Sequence, residues 1–284
     1  MRQLSGFAPL AREFDGFVVD LWGVVHDGVR PYPGAVDCLA RIGAAGGRVV
    51  LLSNAPRRAA KAAAAMRRMG IADSLYHGIM TSGEATHVML RDRADPWFAA
   101  LGRRVFHLGP DRDRNVLEGL DYERVAEPQA ADFVLNTGPD DHRNPSRLAE
   151  FEPVLEACAA KKLPMVCANP DREVIRGGVR VLCAGALGLR YRELGGDVRM
   201  VGKPDPAVYA PVLAMLDLPR ERVLAVGDAL ETDIAGARAA GIAAVWVLGG
   251  IHGDRLAGNR VAAEQAALTL GLRPVASLPA FVWS

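Results

Sequence analysis

The chain offers little that would attract it to nucleic acid or to a membrane. It carries 34 Lys and Arg against 33 Asp and Glu, and its formal net charge of +1 gives no bulk attraction to anionic partners. No apolar stretch approaches the ~20 residues that a membrane-spanning helix needs. The first residues also lack the apolar core of a secretory signal. We therefore expect a soluble, cytoplasmic protein with no nucleic-acid or membrane partner.

Cysteine and metal-binding motifs are also scarce. The four cysteines are widely spaced and form no C-x-x-C pair, which is typical of thiols in a reducing compartment rather than of a disulfide framework. The six histidines show neither H-x-H nor H-E-x-x-H spacing, so a zinc site is not expected. Gly202-Lys203 is not a P-loop, because Pro204 stands where that motif requires Ser or Thr.

The main feature that is present is an alternation of short apolar runs with longer segments rich in Ala, Arg and Glu. The runs are nearly continuous in apolar character, as in parallel strands covered on both faces, and lie at residues 17–21, 48–52, 105–108, 133–136, 165–168, 198–201, 223–226 and 243–248. The predicted helices lie at residues 34–45, 56–69, 82–90, 146–161, 205–216 and 232–240. This order predicts an α/β protein with a doubly wound, Rossmann-like parallel sheet.

The distribution of chemically interesting residues divides the chain into a core and an insertion. They fall before residue 55 and after residue 200, whereas the segment between has strand candidates of its own. A structureless loop of that length is uncommon in a compact domain, so we predict an inserted α/β domain. Small residues near 81–83 and 184–186 are the expected hinges. The expected core is residues 1–82 and 186–284, and the expected cap is residues 83–185.

Polar residues follow several of the predicted strands. Asp20 follows the first strand, Ser53 and Asn54 follow the second, and Lys203 follows the run at residues 198–201. Ligands of open α/β sheets bind in the crevice at the carboxyl ends of the strands, so we expect these side chains to converge there. Asp20 is the candidate nucleophile for phosphoryl transfer, Ser53 and Asn54 are candidate donors to phosphate oxygens, and Lys203 is the candidate cation.

A second carboxylate set predicts a magnesium site in the same crevice. Asp228 follows the predicted strand at residues 223–226, and Gly227 lets the backbone turn close to an ion. Mg²⁺ prefers few carboxylates together with waters and substrate oxygens, so Asp20 and Asp228 suffice. Asp233 lies five residues further on, near a predicted helix start where Thr232 is a candidate cap, and is expected to reach the ion directly or through water.

These motifs, in this order and at strand ends, resemble the haloacid dehalogenase (HAD) superfamily of aspartate-nucleophile phosphohydrolases. The insertion is similar to the α/β cap of the branch, class IIA, that contains sugar-phosphate, nucleotide and p-nitrophenyl phosphatases. The resemblance covers nearly the whole chain and includes the segments His26-Asp27-Gly28, Pro33-Gly34-Ala35, Thr81-Ser82-Gly83, Asn169-Pro170-Asp171, Gly202-Lys203-Pro204-Asp205-Pro206 and Gly236-Ala237-Arg238-Ala239-Ala240-Gly241.

The resemblance implies a role for each matching residue. It implies a nucleophile at Asp20 and an Mg²⁺ site formed by Asp20, Asp228 and the main-chain carbonyl of Trp22. It implies phosphate contacts from Ser53 and Lys203, and an approach to the pocket by two cap residues, Asn169 and Asp171. The implied partner is a small phosphorylated metabolite over which the cap closes. A homodimer is left open.

Trp22 departs from the family pattern, because phosphatases of this family usually carry a second aspartate at that position. An indole cannot take up and return a proton, and the loss of a positioned acid/base costs about 10²–10⁴ in rate. Alkyl phosphates should suffer most, and phenolic or acyl phosphates least. His26 or Asp27 as a substitute is a further hypothesis. Two alternatives stay open: a phospholigand-binding protein without turnover, and phosphonate or halide chemistry on the same scaffold.

Overall fold

The computed structural model describes residues 1–176, 179–250 and 260–284 of the 284-residue chain. In chain order its strands are β1 (Arg2–Gln3), β2 (Gly16–Val19), β3 (Arg48–Ser53), β4 (Gly78–Thr81), β5 (Arg104–Leu108), β6 (Glu123–Val125), β7 (Phe133–Asn136), β8 (Met165–Cys167), β9 (Glu173–Arg176), β10 (Val179–Leu182), β11 (Val198–Met200), β12 (Val223–Gly227), β13 (Ala243–Val247) and β14 (Ala276–Leu278). All eight predicted strands are present, within one or two residues at each end.

The helices also follow the predicted order, and most are shorter than the sequence suggested. They are α1 (Leu10–Glu13), α2 (Ala35–Ala44), α3 (Ala59–Arg68), α4 (Ser82–Asp92), α5 (Pro96–Ala99), α6 (Glu152–Ala160), α7 (Ala184–Glu193), α8 (Tyr209–Leu216), α9 (Ala235–Ala239) and α10 (Arg260–Thr269). Several of them begin late because a tighter or wider turn comes first, such as the 3₁₀ turns before α6 and α8 and the π-helical turn before α9. Among the described residues, no helix is long and apolar enough to cross a membrane.

The chain forms two compact units, each with its own sheet. The first unit consists of Met1–Ser53, Ala63–Met80 and Lys203–Ser284. It contains a seven-stranded sheet of order β1-β14-β13-β12-β2-β3-β4. In this order every pair of neighbouring strands from β1 through β3 is parallel. Strands β2 and β12 are buried along their whole length, as their continuous apolar character predicted. The doubly wound α/β core is therefore confirmed.

The second unit consists of Asn54–Ala62 and Thr81–Gly202. Its five-stranded parallel sheet has the order β11-β8-β7-β5-β6, and strands β9 and β10 form a separate antiparallel pair. The inserted α/β domain expected from the sequence is this unit. Leu155, Tyr191 and Phe151 are buried in its own apolar core.

The division of the chain differs from the expected boundaries at 82/83 and 185/186. Residues 186–202 lie with the insertion, because β11 pairs with β8 and because Leu187 and Tyr191 of α7 are part of the insertion's apolar core. The small residues at 184–186, predicted to be a hinge, begin α7 instead. Residues 54–62 also lie with the insertion. Strand pairing between distant segments decides these boundaries, and local composition does not reveal it.

Candidate active site

Three acidic or hydroxyl side chains stand at the carboxyl ends of neighbouring strands in the first unit. Asp20 follows β2, Ser53 ends β3, and Asp228 follows β12, and β2 lies between the other two strands. The Asp20 N–H donates to the main-chain oxygen of Val226 at 2.9 Å, which extends the ladder to the position of the nucleophile. All three site residues are buried. The order of the strands therefore places these three residues at the carboxyl edge of the sheet, on adjacent strands.

Lys203 is held in this group by three acceptors. Its Nζ donates to Oδ1 of Asp20 at 2.6 Å, to Oδ1 of Asp233 at 2.6 Å and to the main-chain oxygen of Leu52 at 3.1 Å. An ammonium group has three donors, which matches the number of these contacts. The residue is only 3% exposed, and two carboxylates compensate the buried positive charge.

Asp233 is fixed by the turn that carries Asp228. A π-helical turn, Leu230–Ile234, precedes α9 and directs the Asp233 side chain back toward the end of β12. Its Oδ2 accepts the main-chain N–H groups of Asp228 and Ala229, each at 3.1 Å. At Gly227 a Cβ atom would lie 2.1 Å from the Cβ of Asp233, so only glycine allows this approach.

The residues present fit a hard divalent cation. Asp20, Asp228 and Asp233 each offer a carboxylate oxygen, and these oxygens lie within 4.8 Å of one another. Space is kept around Asp228 by two glycines, because a Cβ on Gly23 or Gly250 would lie 2.1 or 2.0 Å from its Oδ2. Oxygen donors of this kind and number suit Mg²⁺ or Ca²⁺.

Trp22 packs within its own loop. The half-buried indole meets the His26 ring edge to face, with centroids 5.6 Å apart. A Cβ on Gly28 would lie 2.1 Å from the indole, so glycine is needed beneath the ring. An indole N–H donates only, and the side chain therefore cannot exchange protons with a substrate.

Asp27 and His26, the hypothetical substitutes for the missing acid, make contacts within the same loop. The Asp27 Oδ1 accepts the N–H groups of Val29 and Arg30, each at 2.8 Å. Burial raises the pKa of the Asp27 carboxyl. These hydrogen bonds and the charge of Arg30 lower it by a larger amount, so the pKa of Asp27 lies below its ordinary value. Asp27 is therefore an ionised turn-forming residue near neutral pH. The His26 Nδ1 accepts the N–H of Gly28 at 3.0 Å.

The predicted substrate contacts of the insertion bind one another in the second unit. The Asn54 amide donates to Oδ1 of Asp171 at 2.8 Å and its Oδ1 accepts the Ser82 hydroxyl at 3.1 Å. The Asn169 Oδ1 accepts the Asp171 N–H at 2.9 Å, which is an Asx turn. Contact of Asn54, Asn169 and Asp171 with a substrate remains a prediction. In the structure, Asn54 and Asn169 both hydrogen-bond Asp171 and so hold the segment around it in place within this unit.

The sequence analysis missed two aromatic residues that support the site. Trp246 on β13 is fully buried, and its indole N–H donates to the main-chain oxygen of Asp228 at 2.8 Å. Tyr209 at the start of α8 is also buried, and its hydroxyl donates to the main-chain oxygen of Asp233 at 3.3 Å. Burial, and the charges of Asp233 and Asp20, raise the pKa of the Tyr209 hydroxyl although Lys203 opposes this. An aromatic within an apolar run gives no local signal of such a bond.

Comparisons with known proteins agree with this architecture. Residues 17–123 match a family model of haloacid dehalogenase-like hydrolases, and residues 200–271 match a second, HAD-hydrolase-like model. A solved hydrolase of the haloacid dehalogenase-like family from Brucella suis is 31% identical, and the alignment covers 99% of this chain and 100% of that one with a TM-score of 0.84. The chain therefore belongs to the haloacid dehalogenase-like hydrolase family.

Two further relatives carry more specific names. Human chronophin is 28% identical over 268 residues, which are 90% of this chain and 86% of chronophin. The glycerol phosphate phosphatase of Mycobacterium tuberculosis was solved in separate complexes with calcium and with magnesium. Each is 27% identical to this chain, with TM-scores of 0.63 and 0.64, covering 85% and 88% of this chain and 68% and 71% of that protein.

Proposed function

We propose that this hydrolase is an Mg²⁺-dependent phosphatase that acts on a small phosphorylated metabolite through an aspartyl-phosphate at Asp20. The observation that carries the proposal is the buried ion pair between Asp20 and Lys203, 2.6 Å apart, beside two further carboxylates. The ammonium group compensates the negative charge of the Asp20 carboxylate, which is the form of this side chain that acts as a nucleophile. It also provides compensation for a dianionic phosphate in a buried site.

The chemistry divides into two displacements at phosphorus. In the first, a carboxylate oxygen of Asp20 attacks phosphorus, the bond to the ester oxygen breaks, and that oxygen leaves with the electron pair and takes a proton from water. In the second, water attacks phosphorus of the aspartyl-phosphate, the bond between phosphorus and the Asp20 oxygen breaks, and one proton of the attacking water passes to solvent, so that inorganic phosphate leaves and the Asp20 carboxylate is restored. Ser53 donates its hydroxyl to a phosphate oxygen, and Lys203 supplies its charge to the same group.

Asp20, Asp228 and the main-chain carbonyl of Trp22 would hold the Mg²⁺ ion, and Asp233 is the third carboxylate of the cluster. When bound, the ion neutralises charge on the phosphate oxygens. The cation-site geometry supports this assignment, since three carboxylates meet where Gly23 and Gly250 leave room around Asp228.

The leaving group limits the choice of substrate. Trp22 cannot protonate a departing oxygen, and Asp27 is ionised near neutral pH. Phenolic and acyl phosphates, whose leaving oxygens are weak bases, should therefore turn over faster than alkyl phosphates. We also propose a cytoplasmic location, since Cys38, Cys158, Cys167 and Cys183 are free thiols.

The test is a substrate panel run on the full chain with Mg²⁺ and with EDTA. The panel contains p-nitrophenyl phosphate, acetyl phosphate, glycerol 3-phosphate, a phosphonate and a haloacid. We expect Mg²⁺-dependent release of phosphate, fastest from the first two compounds, and its loss in Asp20→Asn. Asp37→Asn, an exposed aspartate on α2, is the matched control and should retain full activity. Activity that survives in Asp20→Asn would refute the nucleophile.

A second candidate function is favoured by Trp22 alone: a protein that binds a phosphorylated ligand without turning it over. It predicts no phosphate release from any member of the panel, together with binding of inorganic phosphate that needs Mg²⁺ and Lys203. Phosphonate or halide cleavage would appear in the last two compounds of the panel. Sedimentation of the same preparation measures whether the protein is a homodimer.

A further inference from the structure

We propose that Asp233 is a positioning residue, which fixes Lys203 and the turn that carries Asp228, and that the divalent cation binds without Asp233 as a direct ligand. The proposal rests on the proposed function in one respect only, because the effect of Asp233 on Lys203 is measured as a change in the kcat of the phosphatase. It assigns the three clustered carboxylates different tasks, although their oxygens lie within 4.8 Å of one another.

The hydrogen bonds of Asp233 are the first argument. Its Oδ1 lies 2.6 Å from the Lys203 ammonium, and its Oδ2 accepts two main-chain N–H groups, those of Asp228 and Ala229, at 3.1 Å. An ionised carboxylate has about four lone-pair sites, and three of them are used by these donors. The site that is left is on Oδ1, the oxygen that already binds the Lys203 ammonium, so a cation coordinated there would lie beside that positive charge.

The rigidity of the Asp233 side chain is the second argument. The residue is buried in a π-helical turn, a rare element that is frequent at functional sites. Gly227 lies so close that a Cβ atom there would be 2.3 Å from the Asp233 carboxylate carbon. The side chain is therefore locked in the orientation that faces Lys203 and the turn.

Tyr209 extends this support to a second helix. Its hydroxyl donates to the main-chain oxygen of Asp233 at 3.3 Å, and a Cβ on Gly236 would lie 2.6 Å from the hydroxyl oxygen. The Tyr209 ring also lines a small cavity with Asp20, Lys203 and Asp233. Helix α8 therefore supports the π-helical turn through Tyr209. Asp233 of that turn holds the Lys203 ammonium next to Asp20.

The test compares two isosteric variants, Asp228→Asn and Asp233→Asn, for cation binding and for turnover. Binding of Mn²⁺ to the metal-free full chain is measured by electron paramagnetic resonance, and kcat is measured on p-nitrophenyl phosphate at saturating Mg²⁺. An asparagine at 233 keeps an oxygen for the N–H groups of the turn but presents an N–H₂ group to the Lys203 ammonium. It therefore breaks the contact with Lys203 selectively.

We expect Asp228→Asn to weaken Mn²⁺ binding by about tenfold or more, since it removes a charged ligand of a hard cation. We expect Asp233→Asn to change Mn²⁺ affinity by less than about threefold and to lower kcat by about 10²-fold, as for loss of a positioned electrostatic group. If Asp233→Asn weakens Mn²⁺ binding as much as Asp228→Asn does, Asp233 is a metal ligand and the proposal is overturned.

Tyr209→Phe keeps the test decisive if Asp233→Asn does not fold. It removes one hydroxyl and should lower kcat by about two- to tenfold, the value of one hydrogen bond, with unchanged Mn²⁺ affinity. An unchanged kcat in Tyr209→Phe would count against the proposal. If the wild-type chain hydrolyses nothing, the proposed function fails, but the two Mn²⁺ affinities still decide the role of Asp233.

Discussion

The ammonium group of Lys203 lies 2.6 Å from a carboxylate oxygen of Asp20, and both residues are more than nine-tenths buried. A second carboxylate, Asp233, lies at the same distance on the same ammonium. One positive charge therefore sits between two negative ones in a site with little access to water. The stability of this part of the protein and its chemistry depend on the same three side chains.

Replacing Lys203 with methionine should destabilise the fold as well as abolish turnover. Methionine keeps an unbranched apolar chain in place of the lysine stem but leaves two carboxylates without compensation, which typically costs about 3–5 kcal/mol. Urea unfolding in EDTA measures the loss. Lys61→Met, on the exposed face of α3, is the control and should stay within about 0.5 kcal/mol of wild type. Equal effects of the two substitutions would show that the ion pair contributes nothing to stability.

Replacing Trp22 with aspartate should supply the missing acid/base and raise the hydrolysis of alkyl phosphates. The expected gain in kcat on glycerol 3-phosphate is about 10²–10⁴-fold, with a smaller gain on p-nitrophenyl phosphate. Trp22→Phe also disturbs the contact with Gly28 but adds no acid, so it should show no gain. A folded Trp22→Asp variant with unchanged alkyl-phosphate turnover would refute the leaving-group argument.

Alanine substitutions at two glycines with nearly the same positive φ angle distinguish the effect of backbone strain from an effect on the cation site. Gly23 has φ +88° and Gly46 has φ +86°, but a Cβ atom would meet Asp228 Oδ2 at 2.1 Å in the first case and nothing within 4 Å in the second. Both alanine variants should lose about 1–2 kcal/mol through left-handed strain. Only Gly23→Ala should also lose Mn²⁺ binding. Equal retention of Mn²⁺ binding in the two variants would show that Asp228 tolerates the added methyl group.

The second unit should lose stability in mild acid because of His107. Burial lowers the pKa of His107 from 6.5 to about 4, and the charges of Arg114 and Arg124 add to this. Between pH 4 and pH 6.5 the unfolded chain therefore binds more protons at His107 than the native protein does. The free energy of unfolding should rise with pH across this window, by at most about 3 kcal/mol, and the contribution is complete above pH 6.5.

Urea unfolding between pH 4 and 7 tests this expectation. His107→Gln preserves a partner for the Thr137 hydroxyl, which lies 2.8 Å from the His107 Nε2, and removes the titrating group. Its unfolding free energy should vary less with pH than that of wild type. His142→Gln, at an exposed histidine of the same unit, is the control. Parallel pH curves for wild type and His107→Gln would contradict the prediction.

Much of the fold could be predicted because its signals are local. Buried parallel strands such as β2 and β12 are continuous apolar runs, so each strand can be recognised from its own residues. Strands with exposed positions were missed, for example β6 and β10, because their short mixed sequences resemble loops. The boundary after the insertion was also misplaced, because the pairing of β11 with β8 joins segments about thirty residues apart.

The sequence by itself determined the α/β architecture and the strand-end positions of Asp20, Ser53 and Asp228. Alternating composition and residue order are written along the chain, so each strand and the polar residue that follows it can be recognised without knowledge of the rest of the protein. The parallel arrangement of the strands then brings their carboxyl ends to one edge of the sheet.

Only the tertiary structure decided the partner of each side chain. Lys203 bonds two carboxylates, and Trp246 bonds the main-chain oxygen of Asp228. Within the insertion, Asn54 bonds Asp171, more than a hundred residues away in the chain. A hydrogen bond depends on distance and direction between atoms that are far apart in the sequence, and no local pattern records either quantity.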